Sequence, residues 1–222
     1  MRPRAIIFDA YGTLFDVHSA VLRASYNMSG DVHAFSALWR QRQLEYTWLQ
    51  SLMERYEDFW SVTRIALHSA ARELHIEANE AQLDSLMQGY LSPSAFPDVK
   101  PALDSVNGLP LAILSNGSPK MLESAVHHNG LESLFGEIMS VDRVRTYKPS
   151  PRVYALGTEI LCLPAAEILF VSSNWWDAWG AKAFGYNVCW CNRSKAEMEF
   201  PDAAPDLTVT RLDQIVDHLR YR

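Results

Sequence analysis

The sequence has no long apolar run and no block of basic residues. No apolar run among the 222 residues approaches the roughly 20 that a membrane-spanning helix needs. Met1-Arg2-Pro3-Arg4 leads straight into an apolar strand pattern, so we expect no signal peptide. The net charge of -6 argues against nucleic acid as a partner. A hydrophobic fraction of 48% is typical of a globular chain that can bury a sizeable core.

Cysteine is also scarce. The chain has three cysteines, Cys162, Cys189 and Cys191. An odd and small number does not suggest a disulfide framework, and we expect no metal site among them. We interpret all three as reduced thiols, which predicts a cytoplasmic protein.

The chain opens on an apolar run, Ile6-Ile7-Phe8, that ends at Asp9 and a glycine turn. Such a run is typical of a buried strand in a parallel sheet. In open parallel sheets the chemistry lies just beyond the carboxyl ends of the strands. We therefore expect the Asp9 carboxylate to project into a crevice. Taken alone, Asp9 is equally compatible with an Asx-turn or a helix cap.

A helical segment follows this first strand. Its apolar spacing predicts helices over 33–53, 56–74 and 80–90, with no convincing strand. Residues 92–97 contain two prolines and are predicted to be a return linker, because proline breaks both helix and strand. We expect a helical cap domain, residues 16–94, inserted into a catalytic core made of residues 1–15 and 95–222.

Beyond the linker, strand and helix patterns alternate. The predicted strands are 109–114, 138–141, 168–171, 187–190 and 207–209. The predicted helices are 120–128, 151–161 and 178–184, with one more at the end of the chain. This order predicts an α/β fold: a Rossmann-like, doubly wound parallel sheet with helices on both faces and an inserted helical cap.

Polar side chains follow several of these strands. Asp9 ends the first, Ser115-Asn116 the second, and Ser172-Ser173-Asn174 a later one, with Asp177 just beyond. If these loops converge with the one that carries Lys148, they form a crevice with two carboxylates and an ammonium. An ammonium beside Asp9 would favour the charged carboxylate that a nucleophile needs. Taken singly, Lys148 is also typical of a solvated lysine, and Ser115-Asn116 of a helix cap.

The polar residues form four ordered motifs that resemble those of the haloacid dehalogenase superfamily. The motifs are Asp9-x-Tyr11-Gly12-Thr13-Leu14, Leu114-Ser115-Asn116-Gly117, Lys148-Pro149 and Ser172-Ser173-Asn174-x-x-Asp177. Their order and spacing cover nearly the whole chain. Residues 39–48 also resemble the cap helix of the type II L-2-haloacid dehalogenases, which implies that subgroup's activity.

The main alternative is a magnesium-dependent phosphatase of the same superfamily. Such a phosphatase carries a second aspartate two residues after the nucleophile, which protonates the leaving alcohol. Tyr11 stands there instead, and a halide leaves without a proton. Phosphatases also hold Mg²⁺ with a carboxylate-rich fourth motif, whereas Ser172-Ser173-Asn174 offers hydroxyls and an amide, and only Asp177 is acidic. Both differences favour carbon–halogen chemistry without a metal or another cofactor.

The resemblance implies a two-step reaction on short L-2-haloalkanoic acids such as haloacetates and L-2-halopropionate. Asp9 attacks the carbon that bears the halogen and forms an ester with inversion, and water then releases a 2-hydroxy acid. The implied catalytic residues are Asp9, Thr13, Arg40, Ser115, Asn116, Lys148, Tyr154, Ser173, Asn174 and Asp177.

The resemblance also implies individual roles. Arg40, helped by Asn116, would stabilise the departing halide. Thr13 and Ser115 would orient the nucleophile and the substrate carboxylate. Asp177, together with the Ser173-Asn174 loop, would position or activate the hydrolytic water.

Two of these assignments have structural alternatives. Arg40 is also compatible with a surface arginine on an amphipathic helix. Tyr154, on the helix after Lys148, is equally compatible with a packed core aromatic residue.

The substrate pocket is expected to have apolar walls. The implied substrate-binding residues are Tyr11, Gln41, Leu44, Phe59 and Trp176. Trp175 and Trp179 stand where smaller residues are expected. They could narrow the pocket and favour haloacetates, or pack behind the loop and leave specificity unchanged.

Other function classes remain open at this point. A catalytically silent binding protein could use the same fold, although every motif residue that the mechanism requires is present. A phosphonate-cleaving enzyme would need a cap lysine, and residues 17–94 contain none, so this class can be set aside. Relatives are commonly homodimers. An apolar interface could come from Tyr46, Trp48, Leu49, Leu52 and Tyr56, which could equally pack within the cap.

Overall fold

The computed structural model describes residues 2–25, 31–106, 108–199 and 203–220. The strands are β1 Ala5–Phe8, β2 Phe15–Asp16, β3 Ser94–Ala95, β4 Leu111–Ser115, β5 Glu137–Ser140, β6 Ile168–Ser172, β7 Asn187–Cys191 and β8 Leu207–Val209. The α-helices are α1 Val17–Ala24, α2 Val32–Leu52, α3 Phe59–Glu73, α4 Glu80–Gly89, α5 Val99–Ser105, α6 Pro119–His128, α7 Pro151–Leu161, α8 Trp175–Phe184 and α9 Ile215–Arg220.

The core is a six-stranded parallel sheet with the order β5-β4-β1-β6-β7-β8. β1 lies inside the sheet and is buried along its whole length, which explains why its sequence is a continuous apolar run. The chain builds β4 and β5 on one side of β1, and β6 to β8 on the other. Because crossovers between parallel strands are right-handed in nearly all proteins, building outward in both directions puts helices on both faces. The predicted doubly wound α/β fold is confirmed.

The reversal of strand order at β1 positions the site. In such sheets a crevice opens beyond the carboxyl ends of the strands where the order reverses. Asp9 directly follows β1, and its N–H donates to the carbonyl oxygen of Val171 in β6 at 2.9 Å. The first residue beyond the central strand is thus still tied to the sheet.

Four helices, α1 to α4, lie between β2 and β3. Each begins at a side chain that accepts backbone N–H groups of its first turn. These residues are Asp16, Asp31, Asp58 and Asn79. Such a cap stabilises a helix by about 1 kcal/mol. The helices predicted over 33–53, 56–74 and 80–90 therefore form, with boundaries fixed by their caps.

The two passages into and out of this helical unit are paired. Phe15 and Asp16 of β2 align antiparallel with Ala95 and Ser94 of β3. The expectation that 92–97 contains no strand is therefore wrong: a two-residue edge strand fits between Pro93 and Pro97 without needing a proline N–H. The division into a core of residues 1–15 and 95–222 and a cap of 16–94 stays a prediction.

Two helices differ from the sequence-based expectation. α5 was not predicted, and α8 begins at Trp175, three residues before the predicted start. Asn174, in extended conformation, precedes its first turn. Across the described ranges, no helix has the length and apolarity to cross a membrane.

Candidate active site

The Asp9 carboxylate is buried and receives three side-chain hydrogen bonds. Its Oδ2 accepts from the Thr13 hydroxyl at 2.9 Å and from Asn174 Nδ2 at 2.8 Å. Its Oδ1 accepts from Lys148 Nζ at 3.0 Å. The three donors come from different loops, so the convergence predicted for the strand ends occurs.

Lys148 lies between two carboxylates. Its ammonium donates to Asp9 at 3.0 Å and to Asp177 Oδ2 at 2.9 Å, and its side chain is fully buried. Burial alone would lower the pKa of Lys148, but the attraction of Asp177 and Asp9 outweighs it and raises that pKa above the ordinary lysine value. Lys148 is therefore a permanent cation in the crevice and not a solvated surface lysine.

Asp177 is held at both oxygens. Oδ2 accepts from Lys148, and Oδ1 accepts from the Tyr154 hydroxyl at 2.8 Å. Burial, opposed by the Lys148 ammonium and reinforced by the Asp9 carboxylate, raises the pKa of Asp177 to about 6. Burial and the neighbouring Asp177 raise the pKa of Tyr154 well above its ordinary value, so this phenol stays a hydrogen-bond donor.

The Thr13 hydroxyl links two motifs. It donates to Asp9 and accepts the Ser173 N–H at 2.8 Å. Asn174 Nδ2 donates to the Tyr11 carbonyl at 3.1 Å as well as to Asp9. Gly12 has a φ of 89°, in the left-handed region that favours glycine, which lets this loop turn back over the strand end.

The Ser115-Asn116 loop supports the lysine. Asn116 Oδ1 accepts the Lys148 backbone N–H at 3.0 Å, and Ser115 Oγ accepts the Gly117 N–H at 3.1 Å. A Cβ on Gly117 would lie 2.8 Å from the Tyr11 ring, so only glycine permits this approach.

Arg40 reaches the nucleophile loop from α2. Its guanidinium donates to Gln43 Oε1 at 2.5 Å and to the Tyr11 carbonyl at 3.4 Å. Gln43 in turn donates to Thr63 Oγ1 of α3 at 2.6 Å, which fixes the arginine from behind. Arg40 therefore faces the crevice and is not a plain surface arginine.

The predicted apolar walls are only partly brought together. The Tyr11 and Phe59 rings are 6.2 Å apart between centroids, and Trp176 packs edge-on against Trp48 at 5.6 Å. Gln41 is exposed and donates to Glu45 at 2.8 Å. Leu44 is half-buried. Their roles in substrate binding stay predictions.

A groove of about 450 Å³ lies beside the loop that carries Lys148. It runs between the carboxyl-terminal half of α2 and the loop before α7, and Trp48, Leu52, Tyr147 and Lys148 are among its lining residues.

Trp175 and Trp179 stack on each other at 6.2 Å between ring centroids, and their side chains are 42% and 40% exposed. They line a separate surface pocket together with Trp190. The Trp190 indole N–H donates to the Ser173 carbonyl at 3.3 Å, so this pocket lies behind the Ser173-Asn174 loop. The structure thus favours packing behind the loop over a narrowed substrate pocket.

Sequence reasoning missed Arg193. This residue follows β7 and donates to the Thr13 carbonyl at 3.0 Å. Its position just beyond a strand end is the same signal that marks Asp9 and Asn116 in the sequence.

Comparison with known proteins supplies the family. The model for haloacid dehalogenase-like hydrolases matches residues 3–185. The chain belongs to this hydrolase family. It is 46% identical to the (S)-2-haloacid dehalogenase of Pseudomonas sp. (strain YL), over 96% of this chain and 93% of the relative. It is 44% identical to haloacetate dehalogenase H-2 of Moraxella sp. (strain B), over 96% of each chain.

A solved structure adds a chemical detail. The L-2-haloacid dehalogenase of Xanthobacter autotrophicus, with chloropropionic acid covalently bound, superposes on this chain with a TM-score of 0.89. The two are 38% identical, and the match covers 99% of each chain. The predicted family and enzyme class are thereby confirmed.

Proposed function

We propose that the protein hydrolyses short L-2-haloalkanoic acids to 2-hydroxy acids of inverted configuration. The observation that carries this proposal is the environment of Asp9. It is a buried carboxylate beside a permanent ammonium, and the position two residues later is a tyrosine instead of an acid. Burial raises the pKa of Tyr11, so its phenol remains protonated. Such a site suits a nucleophile whose leaving group needs no proton.

In the first step, an Asp9 oxygen forms a bond to C2 of the substrate as the carbon–halogen bond breaks and the halide departs with the bonding electrons. Lys148 stabilises the ionised carboxylate before attack. Arg40, the cation that the helical unit directs at the nucleophile loop, stabilises the developing halide, helped by Asn116. Thr13 orients the nucleophile.

In the second step, water attacks the Cγ carbon of the Asp9 ester. Asp177 accepts a proton from this water, and Ser173 and Asn174 position it. The bond between Cγ and the substrate-linked oxygen breaks, and that oxygen takes the proton back from Asp177 to leave as the product alcohol, while the second proton of the water passes to solvent. Asp9 is restored as a carboxylate that carries one oxygen from water.

The metal-free character is supported by the chemistry of the donor set. An ammonium already lies 3.0 Å from one carboxylate and 2.9 Å from the other, which offsets part of the negative charge that would attract a divalent cation. The substrate carbon carries no phosphate charge for a metal to balance.

The test is halide release from chloroacetate and from each enantiomer of 2-chloropropionate, with and without EDTA. Phosphate release from an aryl phosphate with Mg²⁺ is measured in parallel. We expect EDTA-resistant halide release from chloroacetate and the L enantiomer only, with D-lactate as the product of the latter. Magnesium-dependent phosphate release without halide would favour the phosphatase. Failure in every assay would favour a binding protein.

Two further properties are proposed. A homodimer is supported by an apolar surface on α2 and α3, where Leu49, Leu52, Met53 and Ile65 are exposed by half or more. A cytoplasmic location is supported by the three free cysteines.

A further inference from the structure

Arg193 lies outside the four motifs but binds the nucleophile loop. One guanidinium nitrogen, Nη2, donates to the Thr13 carbonyl at 3.0 Å. The other, Nη1, donates to both carboxylate oxygens of Asp98, at 2.8 and 3.1 Å. The guanidinium carbon lies 4.0 Å from the centre of the Phe96 ring. Three kinds of contact therefore fix the orientation of this planar group.

The hydrogen bonds of the Asp98 carboxylate go to Arg193 and to the backbone of Leu212. It stands at the start of α5 but makes no side-chain cap to that helix. Its carboxylate is buried and accepts the Leu212 N–H at 2.7 Å in addition to the two bonds from Arg193. A buried carboxylate that does not cap its own helix serves another partner, and here the partner is Arg193.

The Arg193–Asp98 pair contacts both chain segments that connect the sheet to the helical unit, the outgoing and the return passage. Thr13 lies on the outgoing passage, just before β2. Phe96 and Asp98 lie on the return passage, just after β3, and the Phe96 N–H donates to the Leu14 carbonyl at 3.0 Å. Arg193, at the end of β7, binds both passages to the sheet.

We propose that Arg193 is a positioning residue for the nucleophile, acting through Thr13. The Thr13 carbonyl is held by Arg193, while its hydroxyl donates to Asp9 and accepts the Ser173 N–H. Fixing the peptide fixes the hydroxyl, and the hydroxyl fixes the plane of the Asp9 carboxylate. Because displacement at carbon needs the attacking oxygen in line with the leaving halide, loss of this restraint slows ester formation.

The inference rests on the proposed dehalogenation and goes beyond it, since it names a residue that never touches the substrate. The test compares Arg193→Lys with Arg211→Lys. Arg211 is exposed, and its Nε and Nη2 donate to the two carboxylate oxygens of Asp213. Lysine keeps the charge but lacks the planar group in which one nitrogen binds Asp98 and the other binds Thr13.

In single-turnover experiments with L-2-chloropropionate, we expect Arg193→Lys to slow ester formation on the order of tenfold or more per active site. With enzyme in saturating excess over substrate, the observed rate constant does not depend on the active-site concentration, so a partly unfolded sample does not distort it. Arg211→Lys should match the wild type. Asp98→Asn, which weakens the same pair, should slow ester formation in the same direction.

A double-mutant cycle separates positioning from plain stability. In a Thr13→Val background the hydroxyl that Arg193 orients is absent, so adding Arg193→Lys should change the rate by less than about twofold. Unchanged ester formation in Arg193→Lys, or equal slowing with and without the Thr13 hydroxyl, would overturn the inference. Absence of halide release by the wild type would instead overturn the proposed function.

Discussion

The two oxygens of Asp9 are held unequally. Among the described residues, Oδ2 accepts from Thr13 and Asn174, whereas Oδ1 accepts only from Lys148. A carboxylate oxygen can accept two hydrogen bonds in its plane, so Oδ1 keeps a lone pair for a substrate carbon. These hydrogen bonds thus fix the Asp9 carboxylate and leave free the lone pair of Oδ1 that attacks the substrate.

Asp9→Asn tests the proposed role of Asp9 as the nucleophile. The amide keeps the size of the side chain but is a poor nucleophile, so we expect halide release to fall by about 10⁴-fold or more. Mass analysis of the peptide that contains residue 9 must exclude deamidation. Asp84→Asn is a suitable control, because Asp84 is an exposed partner of Arg64. Near-normal activity in undeamidated Asp9→Asn would remove Asp9 from the nucleophile role.

The raised pKa of Asp177 predicts a pH dependence of the second step. In the free enzyme the carboxyl becomes protonated below about pH 6, and in the ester, where Asp9 has lost the charge that helps to raise it, the pKa of Asp177 is lower. Below that pKa the carboxyl cannot take a proton from water. Ester hydrolysis should then slow by about tenfold for each further pH unit, while the ester accumulates. Quenched-flow measurement of the covalent adduct checks this. Adduct breakdown that is independent of pH between about 4.5 and 7 would contradict the assignment of Asp177 as base.

At the scale of elements, α2 presents two arginines to different surroundings. Arg40 turns toward the Tyr11 carbonyl, while Arg42 pairs with Glu45 and Glu73 on the outside. The same helix therefore supplies a reactive-site cation and a matched surface cation.

Arg40→Ala should slow ester formation by about 100-fold, because a fixed positive charge at the developing halide is lost. Arg42→Ala should leave this rate within about twofold, because exposed ion pairs contribute little. Both variants would be compared by single-turnover halide release and thermal unfolding. Equal kinetic effects of the two substitutions would mean that Arg40 acts only in packing.

Elements also explain what could be predicted from the sequence. β1, β4 and β6 are fully buried and therefore appear as continuous apolar runs. β2 and β3 have two residues each, too few for any periodicity to register. α5 has only seven residues and carries Pro101 in its first turn, where proline is tolerated, so its helical pattern is weak.

For the candidate site, too, the sequence predicts some features and not others. Asp9, Asn116 and Asn174 could be found because they end apolar strands. The direct bond from Asn174 to Asp9 could not, because it depends on how the Gly12 turn brings two loops together. The Arg193–Asp98 pair joins residues 95 positions apart in sequence, and no local pattern carries such a pairing.

At the scale of the whole molecule, the exposed apolar side chains of α2 and α3 predict self-association. Leu52 is 82% exposed, so most of its apolar surface is in contact with water, which is unfavourable in free energy. Leu52→Glu should convert a dimer to a monomer in light scattering after gel filtration. Leu22→Glu, on α1, is the control and should leave the mass unchanged. A wild-type protein that elutes as a monomer would contradict the proposed homodimer.

Because the two Asp9 oxygens are hydrogen-bonded differently, they should differ in their exchange with the oxygen of water. If Oδ1 attacks and Oδ2 stays bound to Thr13 and Asn174, the oxygen delivered by water takes the place beside Lys148. Each later turnover then exports that same oxygen in the product and imports another. After many turnovers in heavy-oxygen water, Asp9 would carry one heavy atom rather than two. The one unlabelled oxygen that remains in Asp9 would be Oδ2, the oxygen that does not react.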